Sequence, residues 1–157
     1  MIQMYNSTMR VHVSSYQDRV VCGEFVNLSY RKKYFFHGLD QMLLMMEDIM
    51  DTVASPQAVY RYRALGENPY VFAETDALDC LDMMDRGSYL LLPRIQPTFS
   101  IRCKCRQHGS MQGELIAPGE NGQKKISYRS ALELLRLIYE YLDSELEHGN
   151  IGMNMVK

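Results

Sequence analysis

Hydrophobic positions alternate with polar ones over two stretches of the chain, and each stretch leads on to a three- and four-residue hydrophobic rhythm. Val11–Tyr16 and Ile101–Arg106 carry the two-residue period of a half-buried strand. Each runs into a polar turn, Gln17-Asp18-Arg19 or Gln107-His108-Gly109-Ser110, and then a second apolar stretch, Val20–Leu28 or Met111–Ala117. This predicts a hairpin in both places. A third short strand is expected at Lys33–Phe36 and at Lys125–Tyr128, the latter after the turn signal Pro118-Gly119-Glu120-Asn121-Gly122. A helix then closes each unit. Leu39, Met42, Leu43, Met46, Ile49, Met50 and Val53 form one apolar stripe, and Ala131, Leu134, Leu135, Ile138, Tyr141, Leu142 and Leu146 form the other. Pro56 stops the first helix, while Ser130 with Glu133 makes a capping box for the second and Gly149 ends it.

The two units superimpose when the chain is slid against itself by ninety residues. Gln17/Gln107, Gly23/Gly113 and Glu24/Glu114 are identical, and Val11/Ile101, Val13/Cys103, Val21/Met111, Phe25/Leu115 and Val26/Ile116 keep phase. With two further residues in the second copy, Phe36 falls on Tyr128, Met46 on Ile138 and Met50 on Leu142. The expected fold is α+β, an internal duplication of β-β-β-α units, in which antiparallel sheets are each packed by an amphipathic helix. Residues 1–54 form copy one and 98–148 copy two, with 149–157 a flexible tail. The connecting insert, 55–97, reads as strand-helix-strand: Ala58–Leu65, an acidic helix at Glu74–Arg86, and Ser88–Leu92. One continuous sheet and two sheets packed face to face are both open. Gly23 and Gly113 suit a bulge or a place beneath a closely approaching side chain.

The chain has 157 residues, 46% hydrophobic and 23% charged, with a net charge of -2. These values exclude a disordered chain and a uniformly cationic nucleic-acid binder. No apolar run reaches the length of a membrane span, and Met1–Arg10 lacks the features of a secretion signal, so a cytoplasmic protein is expected. Its cysteines, Cys22, Cys80, Cys103 and Cys105, then read as reduced thiols.

Little in the chain suggests catalysis. Glycine-rich phosphate loops and the common hydrolase and metalloprotease motifs are missing. Cys103, Cys105 and His108 make a Cys-x-Cys-x-x-His string, but both cysteines share the inward face with Ile101 in an alternating strand, so no metal site is expected. Asp76, Asp79, Asp82 and Asp85 read as a solvated helix face rather than an ion site. His12, His37, His108 and His148 are scattered; His12 or His108 with Glu24 or Glu114 is the one arrangement that could support an enzyme. The reading expects no catalytic residue and no cofactor.

Charge is segregated: basic residues cluster in the strands and their loops, acidic ones in the helices. With Ile101, Cys103 and Cys105 facing inward, Arg102, Lys104 and Arg106 form an outward basic stripe. Arg10, His12 and Tyr16 take the matching face in copy one, and Arg31, Lys32 and Lys33 lie in the loop and strand start beside it. These residues are the candidate partner-binding surface.

Phe99-Ser-Ile-Arg, Arg106-Gln107, Gln112-Gly113 and Tyr128-Arg129-Ser130-Ala131-Leu132-Glu133-Leu134 resemble a pattern in small uncharacterised bacterial proteins. In that pattern Phe-x-Val-x-(Val/Ile) is followed by Arg-Gln-Asn, Trp-Gln-Gly and Phe-Arg-Ser-x-Leu-Glu-Leu. The likeness spans Phe99–Leu135, with His108 in place of Asn, Met111 of Trp and Tyr128 of Phe. It implies a three-strand-plus-helix unit and no activity.

The function expected is that of a non-enzymatic interaction or regulatory protein that docks a charged sheet face on a protein or nucleoprotein partner. A small bacterial or phage inhibitor of a nuclease defence system fits this class. The alternative is direct nucleic-acid binding through the basic strand stripe. Homodimerisation through the duplicated units is compatible with either; a membrane partner is not expected.

Overall fold

The computed structural model describes residues 8–28, 32–54, 56–68, 70–75, 95 and 97–147. Each alternating stretch becomes a strand, giving β1 (Thr8–Gln17), β2 (Val20–Asn27), β3 (Lys33–His37), β4 (Phe99–Cys105), β5 (Gln112–Gly119) and β6 (Gly122–Tyr128). The helical stripes become α1 (Leu39–Val53) and α2 (Ala131–Glu147). The fold is α+β.

All described strands belong to one six-stranded antiparallel sheet of order β3-β2-β1-β4-β5-β6, which resolves the choice between one sheet and two. The two hairpin units meet at its centre, where Met9 pairs with Ile101 and Arg10 with Ser100. One sheet face carries Val11, Val13, Phe25, Phe36, Phe99, Ile101, Cys103, Leu115 and Tyr128, which form a single core cluster with Met42, Met46 and Met50 of α1 and Leu134, Ile138 and Leu142 of α2. Full burial of such a side chain stabilises the fold by about 1.5–3 kcal/mol. Two apolar stripes thus share one core.

Each hairpin contains a bulge at the same point. In β1–β2 the pairing Val13↔Gly23 jumps to Ser15↔Cys22, and in β4–β5 Cys103↔Gly113 jumps to Cys105↔Gln112. The extra residue shifts the strand by one position and moves every later side chain to the other face. Both glycines opposite the bulges lie under an aromatic ring: a Cβ at Gly23 would overlap the His12 carbonyl and stand 3.1 Å from Phe36 Cζ, and one at Gly113 would overlap the Arg102 carbonyl and stand 2.8 Å from the Tyr128 hydroxyl.

Ser130 Oγ accepts the Glu133 N–H at 3.1 Å, the cap the sequence predicts. Glu133 does not close the box on Ser130; its carboxylate takes the Arg129 N–H at 3.2 Å and the Arg129 guanidinium at 2.8 Å. At the end of α1, Ala54 adopts a left-handed conformation with φ 53° and satisfies the Asp51 carbonyl.

The expected strand at Ala58–Leu65 is corrected. Among the described residues its only ladder contact is an isolated parallel bridge between Ala58 and Arg106, backed by Val59 N–H donating to the Arg106 carbonyl at 3.2 Å. The segment instead seats its tyrosines: the Tyr60 and Tyr62 rings meet edge to face at 5.3 Å, and Tyr60 donates to the Ser110 carbonyl at 3.1 Å. One-sided packing of this kind produces alternation without a strand. Glu74 and Thr75, expected to begin a helix, are not helical; residues 76–86, Ser88–Leu92 and the tail 149–157 lie outside the described residues. Among the described residues no helix is long and apolar enough to cross a membrane.

Candidate interaction surface

The sheet's other face carries no helix of the described chain, and the ladder fixes which side chains share it. One row crosses all six strands as Lys33, Val26, Arg10, Ser100, Ile116 and Lys125. The next row on one side is Phe35, Glu24 and His12, and on the other Arg102, Glu114 and Ser127. Arg10 and Lys104 are exposed, His12, Lys33 and Arg102 half-buried. Val26 and Ile116 sit low between the basic side chains at 2% and 8% exposure.

Two carboxylates organise the cations. Glu24 lies 3.5 Å from Lys33, and Glu114 lies 2.8 Å from Lys104 and 3.5 Å from Arg102. The hydrogen bond from Lys104 holds Glu114 below the usual carboxylate range, with the charges of Lys104 and Arg102 acting in the same direction. Lys104 and Arg102 are therefore partly neutralised by a single partner.

Phe35, absent from the predicted surface, stands out here: it is 71% exposed and projects from the row that also holds Glu24 and His12. Its signal was the alternation Lys33, Phe35 outward against Tyr34, Phe36 inward. A second unpredicted feature is Cys22 Sγ at 2.9 Å from His37 Nδ1, directly across the β2–β3 ladder. Only the register of that ladder reveals this pair.

Two predicted surface residues are corrected. Arg106 does not extend the outward stripe; past the β4 bulge it turns to the helix face, where its side chain is 1% exposed. Its Nη1 donates to Glu47 Oε2 at 2.8 Å and to Asp51 Oδ1 at 2.7 Å, both on α1, and its Nε donates to the Pro56 carbonyl at 2.8 Å. Tyr16, past the β1 bulge, is likewise buried at 5% and donates to Asp143 Oδ1 of α2 at 2.7 Å. Burial, reinforced by this carboxylate, raises its phenol to about 12. The same shift separates the cysteines: Cys103 faces the core, while Cys105 turns to the Gln112 side chain.

Lys32 is exposed and sits 5.6 Å from the Tyr34 ring centroid; Arg31 lies outside the described residues. Burial pushes the Cys103 thiol up to about 12, which keeps it protonated and unreactive at neutral pH. Among the described residues no three His, Cys, Asp or Glu side chains come together as metal ligands; Asp76, Asp79, Asp82 and Asp85 are outside them. Of the pairings that could support an enzyme, His12 and Glu24 are ladder partners, whereas Glu114 is engaged by Lys104 and Arg102. Comparison with known proteins finds no match: no family model fits the chain, and no curated protein or solved structure matches it.

Proposed function

We propose that the protein is a non-enzymatic interaction protein that docks the open face of its sheet on a protein or nucleoprotein partner, in a reducing, cytoplasmic setting. The observation that carries the reading is Phe35, 71% exposed on a face whose other exposed groups include Arg10 and Lys104. An aromatic anchor rimmed by cations is the composition of an interface centre. Direct nucleic-acid binding is the weaker alternative, because Glu24 and Glu114 interrupt the basic row and Arg106 is withdrawn from it.

We also infer that the chain is an internal duplication whose units are interlocked. Tyr16 and Arg106 occupy matching positions past matching bulges, and each reaches the helix of the opposite unit, Tyr16 to Asp143 and Arg106 to Asp51. Asp51 and Asp143 are themselves matching positions, as are Glu47, which binds Arg106, and Tyr139, whose ring lies 6.2 Å from that of Tyr16.

The test is affinity capture at low salt, with and without nuclease, using wild type, Phe35→Ser and Arg10→Glu proteins. A protein partner that survives nuclease and is lost with Phe35→Ser is the expected result. Recovery of nucleic acid alone, released by salt and abolished by Arg10→Glu, would replace this reading by direct nucleic-acid binding.

A further inference from the structure

The first unit keeps a segment of its own chain in the angle between helix and hairpin. Tyr70–Thr75 runs along α1, where Phe72 N–H and Ala73 N–H both donate to Asp48 Oδ2, at 2.6 and 2.9 Å. Thr52 Oγ1 donates to Thr75 Oγ1 at 2.6 Å, and Tyr34 donates to the Glu74 carbonyl at 3.0 Å. Ala73 is 4% exposed, and Met45 and Ile49 beneath the segment are buried.

In the second unit the matching residues line a groove of about 1070 Å³ between α2 and the β5–β6 hairpin. Leu137, Glu140, Tyr141 and Ser144 stand where Met45, Asp48, Ile49 and Thr52 stand in the first unit. Leu137 and Tyr141 are only partly buried, unlike their counterparts. Ile126 replaces Tyr34, which makes the floor more apolar. The rim differs in charge, with Glu120, Glu140 and Glu145 against Lys124.

We propose that this groove receives an extended segment of a partner protein, seated as Tyr70–Thr75 is seated on α1, with a small apolar residue over Leu137 and Tyr141 and a basic side chain beside it. Glu140 accepts two consecutive backbone N–H groups of that segment, as Asp48 does for Phe72 and Ala73. The carboxylate rim selects the basic neighbour. The inference rests on the duplication; the groove opens on the helix side of the sheet and shares His12 with the proposed docking face, whose Phe35 and Arg10 lie outside it.

Fluorescence anisotropy of the labelled hexapeptide Tyr-Val-Phe-Ala-Lys-Thr, titrated with the full chain, tests it. Saturable binding is expected, weakened about tenfold by Glu140→Ala, since hydrogen bonds to a charged acceptor are lost. Ser144→Arg should obstruct the groove, and Arg10→Glu should leave binding unchanged. Glu140 and Ser144 are exposed, and the far-UV circular dichroism of both variants should match that of the wild-type chain. No binding at millimolar protein would overturn the proposal, as would equal affinity in Glu140→Ala and Ser144→Arg. Loss caused instead by Asp48→Ala, meaning that the peptide has displaced the chain's own segment, or by Arg10→Glu, meaning that it sits on the sheet face, would also overturn it. Dimerisation of the unliganded chain that is abolished by Glu140→Ala would assign the groove to a second copy and equally overturn it.

Discussion

Arg106 brings a full positive charge to a point where its side chain is 1% exposed, and the surrounding acceptors make that tolerable. Glu47, 10% exposed, is the buried partner, and Asp51, half exposed, links the pair to solvent. Attraction inside a protein offsets desolvation only when each charge keeps good hydrogen bonds, and removing one member strands the other. Arg106→Ala is therefore expected to lower stability by about 3–5 kcal/mol, measured by urea unfolding. A loss below about 1 kcal/mol would mean that Glu47 is rehydrated easily. Tyr16 meets the same positional demand with a neutral donor. Hydrophobic alternation placed Arg106 on the outside because it counts residues and cannot register an unpaired one. Gln107-His108-Gly109-Ser110 marks the turn and Gly113 suits a bulge, but nothing in Cys103-Lys104-Cys105 says which residue of β4 is left unpaired.

The elements themselves were largely legible, because each has a strong period and a clear ending. Both apolar helical stripes, both hairpins and the Ser130 cap follow from residue type alone. Ala58–Leu65 alternates like a strand because Tyr60 and Tyr62, packed against one another, repeat at the same two-residue period. The surface is half legible: Arg10, Arg102 and Lys104 lie on the side where alternation places them, whereas nothing but the phase of β3 distinguishes Phe35 from the other apolar residues of that strand. The groove was invisible, since its shape depends on what the intervening chain covers. At the end of α1, Ala54 holds φ 53° with a side chain that disfavours it. Such a conformation costs a non-glycine residue about 1–2 kcal/mol, part of which the flexibility of glycine in the unfolded chain takes back. Ala54→Gly is expected to raise stability by about 0.5 kcal/mol, seen as a higher urea midpoint with an unchanged slope.

At the scale of the molecule, the units are joined by the central β1–β4 ladder, by one core and by crossed polar contacts at both ends of that seam. Neither helix rests on its own hairpin alone. A single unfolding transition is expected, with calorimetric and van't Hoff enthalpies equal and the same midpoint by fluorescence and circular dichroism. Two separated transitions would mean that the units are energetically independent despite their contacts.

Among the described residues the sheet ends at β3 and β6, whose outer rims offer hydrogen-bonding groups that could template another chain. β3 is only 5 residues long and is bracketed by Lys33 and His37. β6 carries Lys124 and Lys125 in succession, one partnered across the ladder by Ala117 on the core side and the other by Ile116 on the open side. A neighbouring molecule that offered its own rim would set lysine against lysine on both faces. Brevity at one end and charge at the other thus guard the rims of the sheet against sideways growth, so that contact with another molecule by strand addition is disfavoured at either edge.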